Sequence, residues 1–317
     1  MLKDKNYQSV ILGSTLIFLV ILMTILTGGK LLQVDSLQAI AFQIPLLGVL
    51  TLAQMTPMLT GGIDLSIIST ANLSGILAAM VLIHIPSVYG TLLAIMVGVA
   101  TAMAVGILNG ILIAFLYITP IIATLATMIL IKGVALAITK GYIISGFPDS
   151  FSFISNGEIL GIPMPFIIFI AFALFLSVIL SKTTFGISVY MIGSNPTATA
   201  FSGLNNKKIL FNVYLLSGFL AGIASLIMIS RFNAAQAAYG ESYLLLTVLA
   251  CVLGGINPAG GFGKVSGLLV AVVVLQTVSI GFNLLRLSSH LTDALWGIIL
   301  LVIVVINRAI TGKWIGN

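Results

Sequence analysis

Apolar runs long enough to cross a bilayer follow one another along almost the whole chain, and no other feature limits its fold so tightly. Most runs reach about 17 residues or more, the length at which a helix spans hydrocarbon. Charge between them is scarce. The 317 residues include thirteen Lys and Arg and seven Asp and Glu, and the mean hydropathy is +1.25. Six per cent charged residues is far below the roughly one quarter found in soluble domains. Inside a bilayer every backbone polar group must be satisfied within its own segment, so the runs read as helices. The fold class is all-α integral membrane, a single transmembrane domain over residues 1–317 with no separate soluble domain. The net charge of +6 fits Lys and Arg gathered on cytoplasmic loops better than nucleic-acid binding. Lone Cys251 excludes an internal disulfide and any multi-Cys metal or redox site. No small-residue cleavage pattern follows the first run, Val10 to Thr27, so it reads as a retained span.

Ten hydrophobic segments are predicted, at 10–28, 37–59, 67–84, 88–116, 119–138, 163–181, 209–230, 243–255, 265–285 and 291–307. The eighth is short enough either to extend or to be re-entrant. The longest hydrophilic interruptions are 139–162 and 182–208. With the N-terminus inside, Lys3, Lys5, Lys182, Lys207, Lys208, Lys264, Arg308 and Lys313 are cytoplasmic. Lys30, Lys140, Arg231 and Arg286 are then outside, and Lys132 falls within a span without an obvious acidic partner. Eight against four puts both termini in the cytoplasm. Asp35, Asp149, Glu158, Glu241 and Asp293 then lie on or near the outer side. Most tyrosines and Trp314 fall near span ends, where amphipathic rings sit at the interface. Gly106-x-x-x-Gly110, Gly218-x-x-x-Gly222 and Gly263-x-x-x-Gly267 have the spacing that lets helix backbones approach closely. A glycine-rich chain also produces such spacings by chance.

Four constellations stand out. The first is Gly61-Gly62-Ile63-Asp64-Leu65-Ser66, between the second and third spans. Paired glycines let the backbone turn sharply. Asp64 is placed to cap the third span, with Ser66 close by. The alternative makes Asp64 a cation or proton site, but a coupling acid sits mid-span with a polar partner. The second is the cytoplasmic segment 182–208. Asn195-Pro196 is a helix start, with Asn as cap and Pro in the first turn. Thr197 to Ser202, including Ala198 and Ala200, reads as one short helix between Gly193 and Gly203. Such a helix inserts into a partner's groove or belongs to an ordinary interfacial loop. The third is Leu253 to Lys264, with glycines at 254, 255, 260, 261 and 263. It lacks the preceding strand and the Gly-Lys-Ser/Thr ending of a phosphate loop, and reads as a tight turn. The fourth is a set of polar residues inside spans: Gln54, Asn72, Asn109, Thr124, Thr127 and Asn283, with Gln43 and Gln276. They line a hydrophilic path or hydrogen-bond between helices. No Ser/His/Asp set or HExxH occurs, so an intramembrane enzyme is not supported.

These segments together resemble the permeases of bacterial ABC importers for monosaccharides, the ribose, xylose, rhamnose and autoinducer-2 family. The resemblance runs from about residue 40 to 306. It rests on Gly61 to Ser66, Asn109-Gly110, Ile121 to Thr127, Thr184-Phe185-Gly186, Ile192 to Pro196, and Gly254-Gly255 with Gly260-Gly261-x-Gly263. It implies about ten helices in a bundle like that of vitamin B12 importers. It implies that Gly193 to Gly203 carries a coupling helix that docks on a separate ATPase. It further implies a second permease chain, identical or paralogous, and an extracytoplasmic sugar-binding protein. No cofactor is expected on this chain, because ATP and magnesium belong to the ATPase. The expected location is the bacterial inner membrane, and the expected role is sugar import. The runner-up is an ABC permease for another solute, such as branched-chain amino acids. The rival mechanism is a self-contained secondary transporter. Ile67-Ile68-Ser69 stands where the family often has Val-Gly-Ser, and the segment after Arg231 lacks the proline common in ribose-type members. Phe147-Pro148 and Leu160 to Pro165 resemble the autoinducer-2 branch more. With the orientation above, Gly61 to Ser66 falls on the same side as Gly193 to Gly203.

Overall fold

A computed structural model describes residues 2–311. Lys313 and Trp314 lie outside the described residues. The helices are α1 (Leu2–Leu26), α2 (Val34–Met58), α3 (Ile67–His84), α4 (Val88–Ala114) and α5 (Pro120–Thr139). They continue with α6 (Asp149–Asn156), α7 (Met164–Lys182), α8 (Thr184–Ser194), α9 (Pro196–Phe201) and α10 (Asn206–Phe232). The last three are α11 (Tyr243–Leu253), α12 (Val265–Leu284) and α13 (Ser289–Thr311). Among the described residues, extended structure is confined to two-residue strands: β1 (Ile144–Ser145), β2 (Glu158–Ile159), β3 (Ile162–Pro163) and β4 (Ala234–Ala235). The all-α membrane class therefore holds.

Among the described residues, seven helices are long and apolar enough to cross a bilayer: α2, α3, α4, α5, α7, α10 and α12. The first, eighth and tenth predicted segments are helical too, as α1, α11 and α13. At eleven residues α11 is about 16 Å long, too short to cross. Both long interruptions carry structure that their polarity hides. Residues 182–208 hold α8 and α9, and 139–162 hold α6 and the β2–β3 hairpin.

Helix α10 is the hub and packs on α4, α2 and α3. Two of the small-residue spacings explain the closest of these contacts, because they face each other. A Cβ at Gly106 would lie 2.6 Å from the Tyr214 carbonyl oxygen and 3.2 Å from the Gly218 Cα. One at Gly222 would lie 3.0 Å from the Ala102 methyl. Small residues let the backbones touch where no hydrophobic force between helices exists. On the side opposite Asn206, β1 pairs antiparallel with β4, which ties the exit of α5 to the exit of α10.

Candidate functional site

The chain breaks between α2 and α3, and the break is built from its glycines. Gly61 has φ +79°, a left-handed conformation that costs L side chains about 1 kcal/mol or more. A Cβ on Gly62 would lie 2.5 Å from the Tyr214 hydroxyl and 3.2 Å from Pro120. The turn lets Asp64 reach inward, where it is only 4% exposed. Its Oδ1 accepts the Ser66 backbone N–H at 2.9 Å and the Ser66 hydroxyl at 2.6 Å. Its Oδ2 accepts the Ser217 hydroxyl of α10 at 3.2 Å. Asn109 of α4 donates to the Ser66 hydroxyl at 2.8 Å. Among the described residues Asp64 has no ion-pair partner, so hydroxyls and one amide N–H solvate its carboxylate.

Asp64 thus acts on α3 one step removed from the expected cap. The residue flanking α3 is Ser66, with αR angles and no side-chain cap bond of its own. Asp64 instead closes the turn leading into it, in the manner of an Asx-turn, and ties that turn to α4 and α10. Thr124 completes the anchorage from α5. Its hydroxyl accepts the Leu65 N–H at 3.1 Å and lies 3.1 Å from the Ile63 carbonyl oxygen. The Leu65 and Ser66 N–H groups of the break are therefore satisfied within the protein.

Three of the constellations meet at one place. Gly261 N–H donates to the Leu59 carbonyl at 2.9 Å, joining the third loop to the break. A Cβ on Gly61 would lie 3.1 Å from the Ala259 carbonyl oxygen. Gly193, at the end of α8, leaves no room either: a Cβ there would run into the Leu59 carbonyl and the Gly261 nitrogen. The Tyr190 hydroxyl of α8 donates to the Gly263 carbonyl at 2.8 Å. The Leu253–Lys264 segment is thus a turn, as expected, and also the wedge between the break and the α8–α9 segment. No sequence feature announced this meeting, because Leu59, Gly193 and Gly261 are far apart in the chain.

From that junction α9 projects outward. Asn195 Oδ1 accepts the Ala198 N–H at 2.9 Å, Pro196 occupies the first turn, and Gly203 follows with φ +81°. Helix α9 is Pro196–Phe201, within a residue of the predicted bounds. Pro196, Thr197, Ala198 and Ala200 are exposed, and Phe201 is 90% exposed. Phe201 is the one aromatic between Pro196 and Gly203, a cue that sequence reading passed over. Lys207 lies over the Tyr117 ring at 5.0 Å, which links this side to the α4–α5 loop.

The in-span polar residues separate by location. Gln54, Asn72, Asn109, Thr124 and Thr127 are buried within the protomer. Asn72 donates to the Ala237 and Tyr239 carbonyls at 3.0 Å each, and Thr127 bonds back to Ala123 of its own helix at 2.9 Å. Asn283 is exposed and lines a cavity of about 250 Å³ with Ser242, Gln276, Ser279, Asp293 and Trp296. Lys132 does have an acidic partner, contrary to the sequence reading. Its Nζ lies 2.6 Å from Glu241 Oε1, and Glu241 was expected on or near the outer side.

Membrane-length helices around a protein-shielded broken helix, with the short exposed α9 carried at the junction beside it, define a multi-pass membrane protein. The family model for the permease component of branched-chain amino acid transport systems matches residues 36–304, and the chain belongs to that family. It is 36% identical to the ribose import permease RbsC of Bacillus subtilis over 295 residues, 92% of this chain and 90% of the relative. It is 31% identical to the autoinducer 2 import permease LsrD of an Enterobacter species, over 96% of this chain and 95% of that one. The ribose import permease of Escherichia coli K12 is 32% identical over 93% and 92% of the two chains. No solved structure matches the chain.

Proposed function

We propose that this chain is the permease subunit of an ABC importer that carries a monosaccharide or sugar-like solute into the cytoplasm. The curated relatives import ribose and autoinducer 2, which favours that solute class over branched-chain amino acids. The absent proline after Arg231 does not argue against ribose, since the B. subtilis ribose permease is more identical to this chain than the Enterobacter autoinducer 2 permease is. The transporter pairs this chain with a second permease chain, a cytoplasmic ATPase and an extracytoplasmic sugar-binding protein. ATP and magnesium bind on the ATPase. The chain sits in the bacterial inner membrane with both termini inside, as the Lys/Arg distribution favours. A bundle like that of vitamin B12 importers, forming one domain, is the expected frame, with α11 in place of a full eighth span.

The observation that carries this reading is the placement of α9. A short helix presents Phe201 to solvent, and Gly193 seats its base against the break and the Gly260–Gly261 turn. A partner that pushes α9 therefore pushes on Leu59 and, through Asp64, on α3, α4 and α10. That is the arrangement needed to convert ATPase closure into helix movement. The test is association of the purified permease with its ATPase. Phe201→Ala is expected to weaken pull-down about tenfold or more, the loss typical of an exposed aromatic anchor. Folding should be unchanged, because the side chain packs on little of its own chain. Undiminished pull-down would contradict the docking role of α9.

A further inference from the structure

Helix α5 packs by one face only. Ala123, Thr124, Thr127, Ile131 and Ala135 are buried, whereas Ile121, Leu125, Ile129 and Leu136 are exposed. On the open side stands Lys132, paired with Glu241 at 2.6 Å. The two side chains are 42% and 56% exposed, so the chain itself does not cover them. Lys132 lies twelve residues beyond Pro120, about 18 Å along a helix of about 30 Å. The pair is therefore near the middle of the hydrocarbon layer. Glu241 comes from the turns that precede α11, and residues 236–242 carry no helix or strand. Asn72 satisfies two carbonyls of this segment, at Ala237 and Tyr239. A half-exposed ion pair and irregular backbone at mid-depth are tolerated only against protein or water, never against lipid tails.

We infer that the Lys132–Glu241 pair faces a water-filled solute path and hydrogen-bonds the hydroxyls of the solute that passes. This rests on the importer reading, in which a second permease chain closes the far side of the path. The chemistry suits a polyol. The ammonium offers three donors, the carboxylate only acceptors, and each sugar hydroxyl can do both. The two charges compensate each other, so a neutral solute is met without a strong binding well. An apolar side chain gains nothing from the pair.

The test uses Lys132→Cys and Glu241→Cys, each in the assembled transporter in proteoliposomes. Cys251 is buried and stays in place, and the unmodified complex gives the background. Leu174→Cys is the lipid-facing control, since Leu174 sits mid-way along α7 and is 62% exposed. A charged, membrane-impermeant methanethiosulfonate is expected to modify Lys132→Cys and Glu241→Cys at least tenfold faster than Leu174→Cys. D-ribose, D-xylose or L-rhamnose, whichever the unmodified complex takes up, should slow that modification at least threefold. Reaction no faster than at Leu174→Cys would place the pair against lipid and overturn the inference. Fast reaction unslowed by a sugar that the complex transports would overturn the solute contact. If the unmodified complex takes up none of the three sugars, the importer reading for these sugars fails, while the labelling rates still decide whether the pair faces water.

Discussion

Gly193→Leu is expected to bring solute uptake to background while the ATPase still associates. The glycine is required for space, not for backbone conformation, because its φ is not in the left-handed region. A Cβ at this position meets backbone on both sides: the Leu59 carbonyl, the Gly261 nitrogen and the Gly260 carbonyl carbon. None of these can rotate away as a side chain would. Gly260 and Gly261 are themselves held at φ +91° and +77°, which leaves the turn little freedom to retreat. Overpacking of this kind costs about 1–3 kcal/mol even in cores that adapt. Here it falls on the contact that seats α9 on the break, so the Gly261-to-Leu59 hydrogen bond should be lost with it. The contrast is Gly203→Ala. Gly203 also lies beside α9, at φ +81°, but a Cβ there would meet no atom within 4 Å. Backbone strain of about 1 kcal/mol is the whole expected cost, and uptake should stay within a few-fold of the parent. ATPase pull-down and vesicle uptake, measured on both variants, check this pair of outcomes. Equal effects of the two substitutions would contradict the junction.

Asp64→Leu is expected to leave little folded protein, and Asp64→Asn to leave a folded but slower transporter. Leucine removes the acceptor for the Ser66 N–H, the Ser66 hydroxyl and the Ser217 hydroxyl, all in a buried site. Each buried donor left unpaired costs about 1–3 kcal/mol. Asparagine keeps one acceptor oxygen for the Ser66 N–H, and the Ser217 hydroxyl can turn to accept from the new amide. Its expected cost is about 1 kcal/mol. Thermal stability in detergent by size-exclusion chromatography reads the first effect, and uptake of competing labelled sugars reads the second. Sugar preference should not change, because Asp64 is buried and its two oxygens are taken up by Ser66 and Ser217. An altered preference on Asp64→Asn would show that the carboxylate contacts solute.

Much of the frame was readable in the sequence because its causes are local. Apolar runs give helices wherever backbone must satisfy itself. Asn195, Pro196 and Gly203 set the start and end of α9 through bonds within a few residues. The facing of Gly106 and Gly218 was hinted at by spacing but needed the fold to show which glycines met. The distant pairings were not readable. Asp64 with Ser217, Gly193 with Leu59 and Gly261, and Lys132 with Glu241 join residues from separate helices and loops. Polarity also misled: 182–208 reads as a loop by its charges, yet Ile187, Val189 and Ile192 sit on a regular helix, α8. Asp64 was legible as a helix-terminus residue, but its own turn bonds Ser66 and its wider role depends on α4 and α10.

The most direct test is solute uptake by the purified chain, alone and in its complex. Proteoliposomes holding permease, ATPase and binding protein are expected to accumulate labelled sugar only when ATP reaches the ATPase. The chain alone, under a proton or sodium gradient, is expected to accumulate none. Gradient-driven uptake by the chain alone would contradict the importer account and establish a secondary transporter in its place.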